Sequence, residues 1–157
     1  MSCYFIDVKG FLGNFNEIAI KELCIIDVNN IFKPFHQVYT GNIDWQCLTF
    51  DVQLINEEIT RRKLLLSWDE GLDYFCPPCI AHMFDDTKIF YVVEDEDDKK
   101  IQLLKIHFPT WRFINYKLKQ RTKVPINISC PWREHGENCA YKICLLGVID
   151  YIKINEW

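Results

Sequence analysis

From Cys3 to Phe11 the chain reads CYFIDVKGF, alternating apolar and polar positions over β-forming residues, which predicts a strand. Gly10, Gly13, Asn14 and Asn16 supply a turn. Residues 17–27 (EIAIKELCIID) alternate again, with Ile18, Ile20 and Glu22 in one phase and Ala19, Lys21 and Leu23 in the other. This predicts the second strand of a hairpin. After Asn29 and Asn30, residues 31–39 predict a third strand. Pro34 confines it to an edge or bulge, because proline offers the ladder no N–H.

The period then changes. Over residues 50–66, Val52, Ile55, Ile59, Lys63 and Leu66 recur at three- and four-residue spacings, while Asn56, Glu57, Arg61 and Arg62 take the opposite face. That predicts an amphipathic helix in one or two pieces. Residues 68–78 read as loop, and 79–84 as a short helix. Residues 88–93 (KIFYVV) form an unbroken β-branched and aromatic run, as in a strand covered on both faces. Residues 100–107 have no clear period. Residues 111–118 read as strand, 125–131 as loop and 137–154 as a helix. The last has an apolar stripe of Ala140, Ile143, Cys144, Gly147, Val148, Tyr151 and Ile152. Three opening strands followed by helices and further strands predict an α/β domain: a mixed sheet that opens with an antiparallel meander and carries helices on its faces.

Hydrophobic residues make up 49% of the chain, which excludes a disordered polymer and suits one domain over residues 1–157. No apolar run approaches the ~20 residues that cross a bilayer. The opening residues lack the basic start and apolar stretch of a signal peptide. The expectation is an intracellular protein, cytoplasmic or nuclear, with no membrane partner. The net charge of −4 argues against a dedicated duplex DNA binder. Residues 94–98 (EDEDD) predict a solvated turn.

Eight cysteines in an intracellular chain are thiols, metal ligands or core residues. Cys3, Cys24, Cys47 and Cys144 sit among apolar neighbours and read as core. Cys76-x-x-Cys79 is a knuckle of zinc type on a proline turn, and Cys130-x4-His135-x3-Cys139 lies at the mouth of the last predicted helix. The first three candidates for a structural zinc are therefore Cys130, His135 and Cys139, with Cys76 or Cys79, or His82, completing the four. The opposing reading leaves Cys76 and Cys79 as loop thiols and His135 as a helix cap. The paired prolines do not suit a thioredoxin-type redox site.

The run WRFINYKLKQRTK interleaves Trp111, Phe113 and Tyr116 with Arg112, Lys117, Lys119, Arg121 and Lys123. Aromatic faces stack bases while cations follow phosphates, so this is a candidate surface for single-stranded nucleic acid. The plainer reading is an amphipathic edge strand with its rings in the core. No phosphate-cradling glycine loop leads into a helix, and no nucleophile elbow is present.

The segments IDVKGF, EIAIKEL, RRKLLLSWDEGL, KIFYVV and CPWREHGENCA, taken in order, resemble a proofreading-type 3′–5′ exonuclease domain of the ribonuclease-H-like fold. More narrowly they resemble uncharacterised transposon- and virus-associated proteins of insects. The Cys130, His135, Cys139 cluster is also similar to that of the zinc-bearing Maelstrom domain of a piRNA-pathway protein. The resemblance implies two catalytic metals, Mg²⁺ or Mn²⁺, held by four carboxylates. Asp7 matches the first, but Lys9 stands where the family has Glu, and Ala140 stands where an Asp follows the His of the last helix. The implied function is thus a catalytically degenerate nuclease fold that binds nucleic acid or protein in a mobile-element, viral or small-RNA setting. One alternative is an active exonuclease in which Asp7 works with Asp85, Asp86, Glu94 or Asp150 and His135 is the general base. The other is a zinc-stabilised protein-interaction domain.

Overall fold

The computed structural model of the protein describes residues 2–119, 128–136 and 139–155. Its centre is a five-stranded sheet in the order β3-β2-β1-β4-β5. The strands are β1 (Tyr4–Leu12), β2 (Ile18–Asp27), β3 (Phe35–Val38), β4 (Ile89–Val93) and β5 (Arg112–Tyr116). β1, β2 and β3 form the antiparallel meander, while β4 pairs parallel with both β1 and β5. This is the mixed sheet, opening with an antiparallel meander, that the sequence pattern predicts.

The meander is not regular. Its register shifts between Lys9 and Gly10, so that Lys9 opposes Glu22 but Gly10 opposes Ile20, leaving Lys21 as the extra residue of a bulge. Lys21 is 1% exposed, and its ammonium donates to the carbonyls of Tyr39 and Trp68 at 2.8 and 3.0 Å and also to that of Glu70. Burial draws its pKa down to about 8 against the pull of Glu70 and Asp69. The bulge therefore ties two loops to the end of the sheet.

The helices are α1 (Phe50–Ile59), α2 (Pro77–Ala81), α3 (Lys99–His107) and α4 (Ala140–Asn155). Tyr4, Ile6, Val8, Leu23, Ile25, Phe90 and Val92 line one side of the sheet with Ile80 of α2 and Ile101 and Leu104 of α3. Cys3, Phe5, Cys24, Ile26 and Val93 line the other side with Ala140, Cys144 and Val148 of α4. α4 lies tight on this side. A Cβ on Gly147 would come within 2.5 Å of Val93 and 2.6 Å of Phe5, so only glycine permits the approach. No helix of the described residues is long and apolar enough to cross a membrane.

The third strand, residues 100–107 and Asp95 depart from expectation, while the helix over 50–66 does not. The third strand is shortened to Phe35–Val38, because successive turns from Asp27 to Lys33 and then Pro34 occupy the preceding residues. The predicted helix over 50–66 is indeed in two pieces: α1 passes into a π turn, Thr60–Leu64, which closes on Leu65 with φ 53°. Residues 100–107 are helical. Asp95, expected as part of a solvated run, is 6% exposed, and its carboxylate accepts from the Lys100 and Ile101 amides at 3.2 and 2.9 Å. It therefore caps α3.

Candidate metal centre

Glu22 shares the α4-facing side of β2 with Cys24 and Ile26, and like them it is fully buried. A lone carboxylate there would cost several kcal/mol, so donors or cations must surround it. Oε1 accepts from the Ala140 amide at 2.8 Å, at the start of α4. Oε2 lies 2.6 Å from His36 Nε2 and 3.0 Å from His135 Nε2. The Cys130 Sγ lies 3.4 Å from His135 Nε2, 3.7 Å from His36 Nε2 and 4.0 Å from Glu22 Oε2.

Each group is aimed by its own element. His36 is on β3, opposite Cys24. His135 is turned by the π turn: its Nδ1 lies 2.9 Å from the Leu64 carbonyl, which can only accept, so Nδ1 carries a hydrogen and Nε2 faces the cluster. Cys139 caps α4, its Sγ accepting from the Lys142 amide at 3.4 Å and its carbonyl from the Ile143 amide at 3.1 Å. The loop bearing Cys130 and His135 is pinned by Glu70. Arg133 bonds both of its oxygens at 2.6 and 2.7 Å, and the Trp132 indole donates to Oε2 at 2.5 Å. The Arg133 and Trp132 hydrogen bonds hold the Glu70 carboxyl at about 2, well below the usual range.

One ligand atom from each of Glu22, Cys130, His135 and Cys139 lies within 4.8 Å of the others, and all four residues are buried. Among the described residues this is the one such group. Two thiols, an imidazole and a carboxylate make a donor set of zinc type, and these four can hold a metal ion such as zinc. Their protonation is strongly shared. Burial would lower the His135 and His36 pKa values, but Cys130 and Glu22 outweigh it and lift them to about 10 and about 9. Burial would raise Glu22, but His135, His36 and the Ala140 amide bring it below its ordinary value. Donation from Cys139, and then from the two imidazoles, holds the Cys130 thiol down, while that same hydrogen bond and burial push Cys139 up. The cluster thus concentrates negative charge that shared protons balance, and a divalent cation does the same work at one point.

The structure gathers Cys130, His135 and Cys139 as their spacing suggested, but the fourth member of the cluster is Glu22. Cys76 and Cys79 are instead joined to each other by a disulfide, with Cα atoms 5.5 Å apart at the start of α2. This corrects both the zinc-ligand and loop-thiol readings. His82 is exposed at the end of α2 and outside the cluster. The sequence signal for Glu22 was its place in phase with Ile18 and Ile20, a charged residue on what reads as an apolar face. His36 left no comparable signal.

Asp7 lies on the same side of the sheet, opposite Cys24, and is fully buried. Its Oδ1 accepts from Lys100 Nζ at 2.5 Å, and Lys9 Nζ stands 3.6 Å from Oδ2. Burial opposes the Lys100 charge, yet the charge and hydrogen bond of Asp7 raise its pKa. Of the other acids considered for catalysis, three are engaged in hydrogen bonds of their own. Asp85 accepts from the Thr87 amide and hydroxyl at 3.0 and 2.6 Å, and Asp86 is exposed. Glu94 accepts from the Leu118 amide at 2.7 Å, and Asp150 from the Tyr116 hydroxyl at 2.8 Å.

On the candidate nucleic-acid run, Trp111 is 4% exposed and stacked between Phe90 and Phe108, each ring 4.1 Å away at 5°. Tyr116 is 8% exposed. Both rings are used by the core, so neither offers a face to a base; this corrects the stacking platform. Arg112, Lys117 and Lys119 are exposed on and beyond the edge strand β5. Arg121 and Lys123 lie outside the described residues.

No protein-family model matches the chain, and no curated protein is significantly similar to it.

Proposed function

We propose that this chain is a catalytically silent member of the ribonuclease-H-like exonuclease plan, stabilised by a structural zinc and used to bind rather than to cut. The observation that carries the reading is the state of Asp7. In the exonuclease plan the first-strand acid holds divalent cations; here Lys100 and Lys9 bring ammonium groups to it instead. An ammonium has no open coordination position, so it cannot polarise a phosphate or generate hydroxide as a bound metal does.

Glu22, Cys130, His135 and Cys139 would hold the zinc. It would supply no chemistry beyond a cross-link between β2, the loop over residues 130–136 and the start of α4. Arg112, Lys117 and Lys119, with Arg121 and Lys123 further along the chain, are the cations for a single-stranded nucleic-acid partner. With the rings buried, recognition rests on phosphate contacts, so it is weak in sequence preference and strongly salt-dependent. The Maelstrom resemblance agrees with a small-RNA setting. A protein partner is the alternative occupant of the same surface.

Two assays test the reading. Purified protein given single-stranded DNA or RNA with Mg²⁺ or Mn²⁺ should not degrade it; degradation that stops in Asp7→Ala would overturn the silent assignment. Single-stranded RNA should bind, and K117E/K119E/R121E should abolish binding. Unchanged binding would remove the nucleic-acid partner and leave the protein one.

A further inference from the structure

We infer that His36 is the positioning residue of the metal centre, holding the Glu22 carboxylate toward the ion without ligating it. The inference rests on the zinc assignment above. His36 comes from the outermost strand, β3, and its side chain is 3% exposed. Its Nε2 lies 2.6 Å from Glu22 Oε2, closer than His135 Nε2 at 3.0 Å. Yet His36 is not one of the four residues whose ligand atoms all fall within 4.8 Å of one another. It touches two of the four, Glu22 and Cys130, but lies outside the group that shares one centre.

The two imidazoles therefore have different roles. With an ion in place, His135 Nε2 must turn its lone pair to the metal and can no longer donate to Glu22. His36 then remains as the side-chain donor at Oε2, among the described residues. A carboxylate oxygen carries two lone pairs, so Oε2 can meet the ion with one and accept the His36 N–H with the other. Oε1 is already taken by the Ala140 amide at 2.8 Å. The carboxylate is thus held by one donor at each oxygen, one from β3 and one from α4, and its rotation is fixed before metal arrives. The Tyr141 ring, 6.2 Å from the His36 ring at 73°, backs the imidazole. Removing such an outer donor commonly lowers metal affinity about 10–100-fold.

The experiment uses the full chain, stripped of metal and titrated with zinc against a chromophoric chelator, alongside His36→Phe and His36→Gln. Glutamine keeps an N–H donor of similar reach; phenylalanine keeps the bulk alone. We expect His36→Phe to bind zinc 10–100-fold more weakly and His36→Gln to recover to within about threefold of wild type. The visible spectrum of the cobalt-substituted protein should be that of a four-coordinate ion in all three. Zinc affinity of His36→Phe within about threefold of wild type would overturn the assignment. So would a cobalt spectrum that changes coordination number in His36→Phe, since His36 would then be a ligand. If His36→Phe does not fold by near-ultraviolet circular dichroism, His36→Met takes its place against His36→Gln, and equal affinities of that pair would overturn the proposal. A wild-type chain that takes up no zinc defeats the metal centre itself, which is distinct from a zinc-binding chain indifferent to His36.

Discussion

Asp7 and Glu22 are both fully buried on the side of the sheet that faces α4, one on β1 and one on β2. In the strand register Asp7 opposes Cys24 and Lys9 opposes Glu22, which makes the two acids diagonal neighbours. They face the same desolvation cost and meet it differently. Asp7 has cations built into the chain: Lys100 at 2.5 Å and Lys9 at 3.6 Å. Glu22 has two imidazoles and two thiols, groups that are donors to a metal once their protons leave. A fixed ammonium makes a finished structural element, whereas a set of soft donors leaves a place for an exchangeable ion. Of the two, among the described residues, only the Glu22 cluster is a set of groups that could hold a metal ion.

The largest way to break the comparison is to take the ion away. Zinc at about a thousand times its dissociation constant adds roughly 4 kcal/mol to stability. That corresponds to a melting temperature about 8–16 °C above that of the chelated protein, at about 2–4 °C per kcal/mol for a chain of this length. Cys139→Ala should abolish the response to zinc, as measured by calorimetry with and without chelator. A chelator without effect on the wild type would place Glu22 in the same class as Asp7.

Next in size is the fixed pair. Lys100→Met should destabilise the protein by ~2 kcal/mol, below the 3–5 kcal/mol typical of a broken buried pair, because the Lys100 side chain is 27% exposed and Lys9 remains. Adding Asp7→Asn should recover most of the loss, since the buried charge then has no partner to miss. Zinc affinity should stay unchanged in both. A parallel loss of zinc affinity would show that the two acids act as one site.

The smallest effect sharpens how the ligand loop is held. Glu70 has its folded pKa lowered to about 2 from an ordinary 4.5, through the Arg133 and Trp132 hydrogen bonds. A depressed carboxylate contributes stability that is present above the unfolded value and lost as pH falls through the folded one. In chelator, wild type and Glu70→Gln should therefore differ in urea midpoint above pH ~4.5 and converge toward pH ~2. The Arg133 side chain is 46% exposed, so solvent screening keeps the difference small.

The sheet was legible because its strands carry period-two patterns or, in β4, an unbroken apolar run. α3 was not. Ile101 and Leu104 are buried, but Ile106 is 74% exposed, so no clean stripe forms. Its start depends instead on Asp95 bending back to cap it, a tertiary fact of a run that reads as solvated. The candidate metal cluster was three-quarters legible, because Cys130, His135 and Cys139 are close along the chain. Glu22 lies on a distant strand, and only the pairing of β2 with β1 and β3 and the docking of α4 bring it in. The Cys76–Cys79 pairing was closed to sequence spacing, which fits a metal knuckle equally well. Lys9 reads from the sequence as a cation at an acid's position, but Lys100, the nearer one to Asp7, arrives from α3.

The most direct test is X-ray absorption at the zinc edge on protein purified without added chelator, with metal content measured on the same sample. The account predicts one zinc per chain with two sulfurs at ~2.3 Å and two nitrogen or oxygen neighbours at ~2.0–2.2 Å. That shell should lose one sulfur in Cys130→Ser. Less than about half a zinc per chain, or a first shell without sulfur, would contradict it.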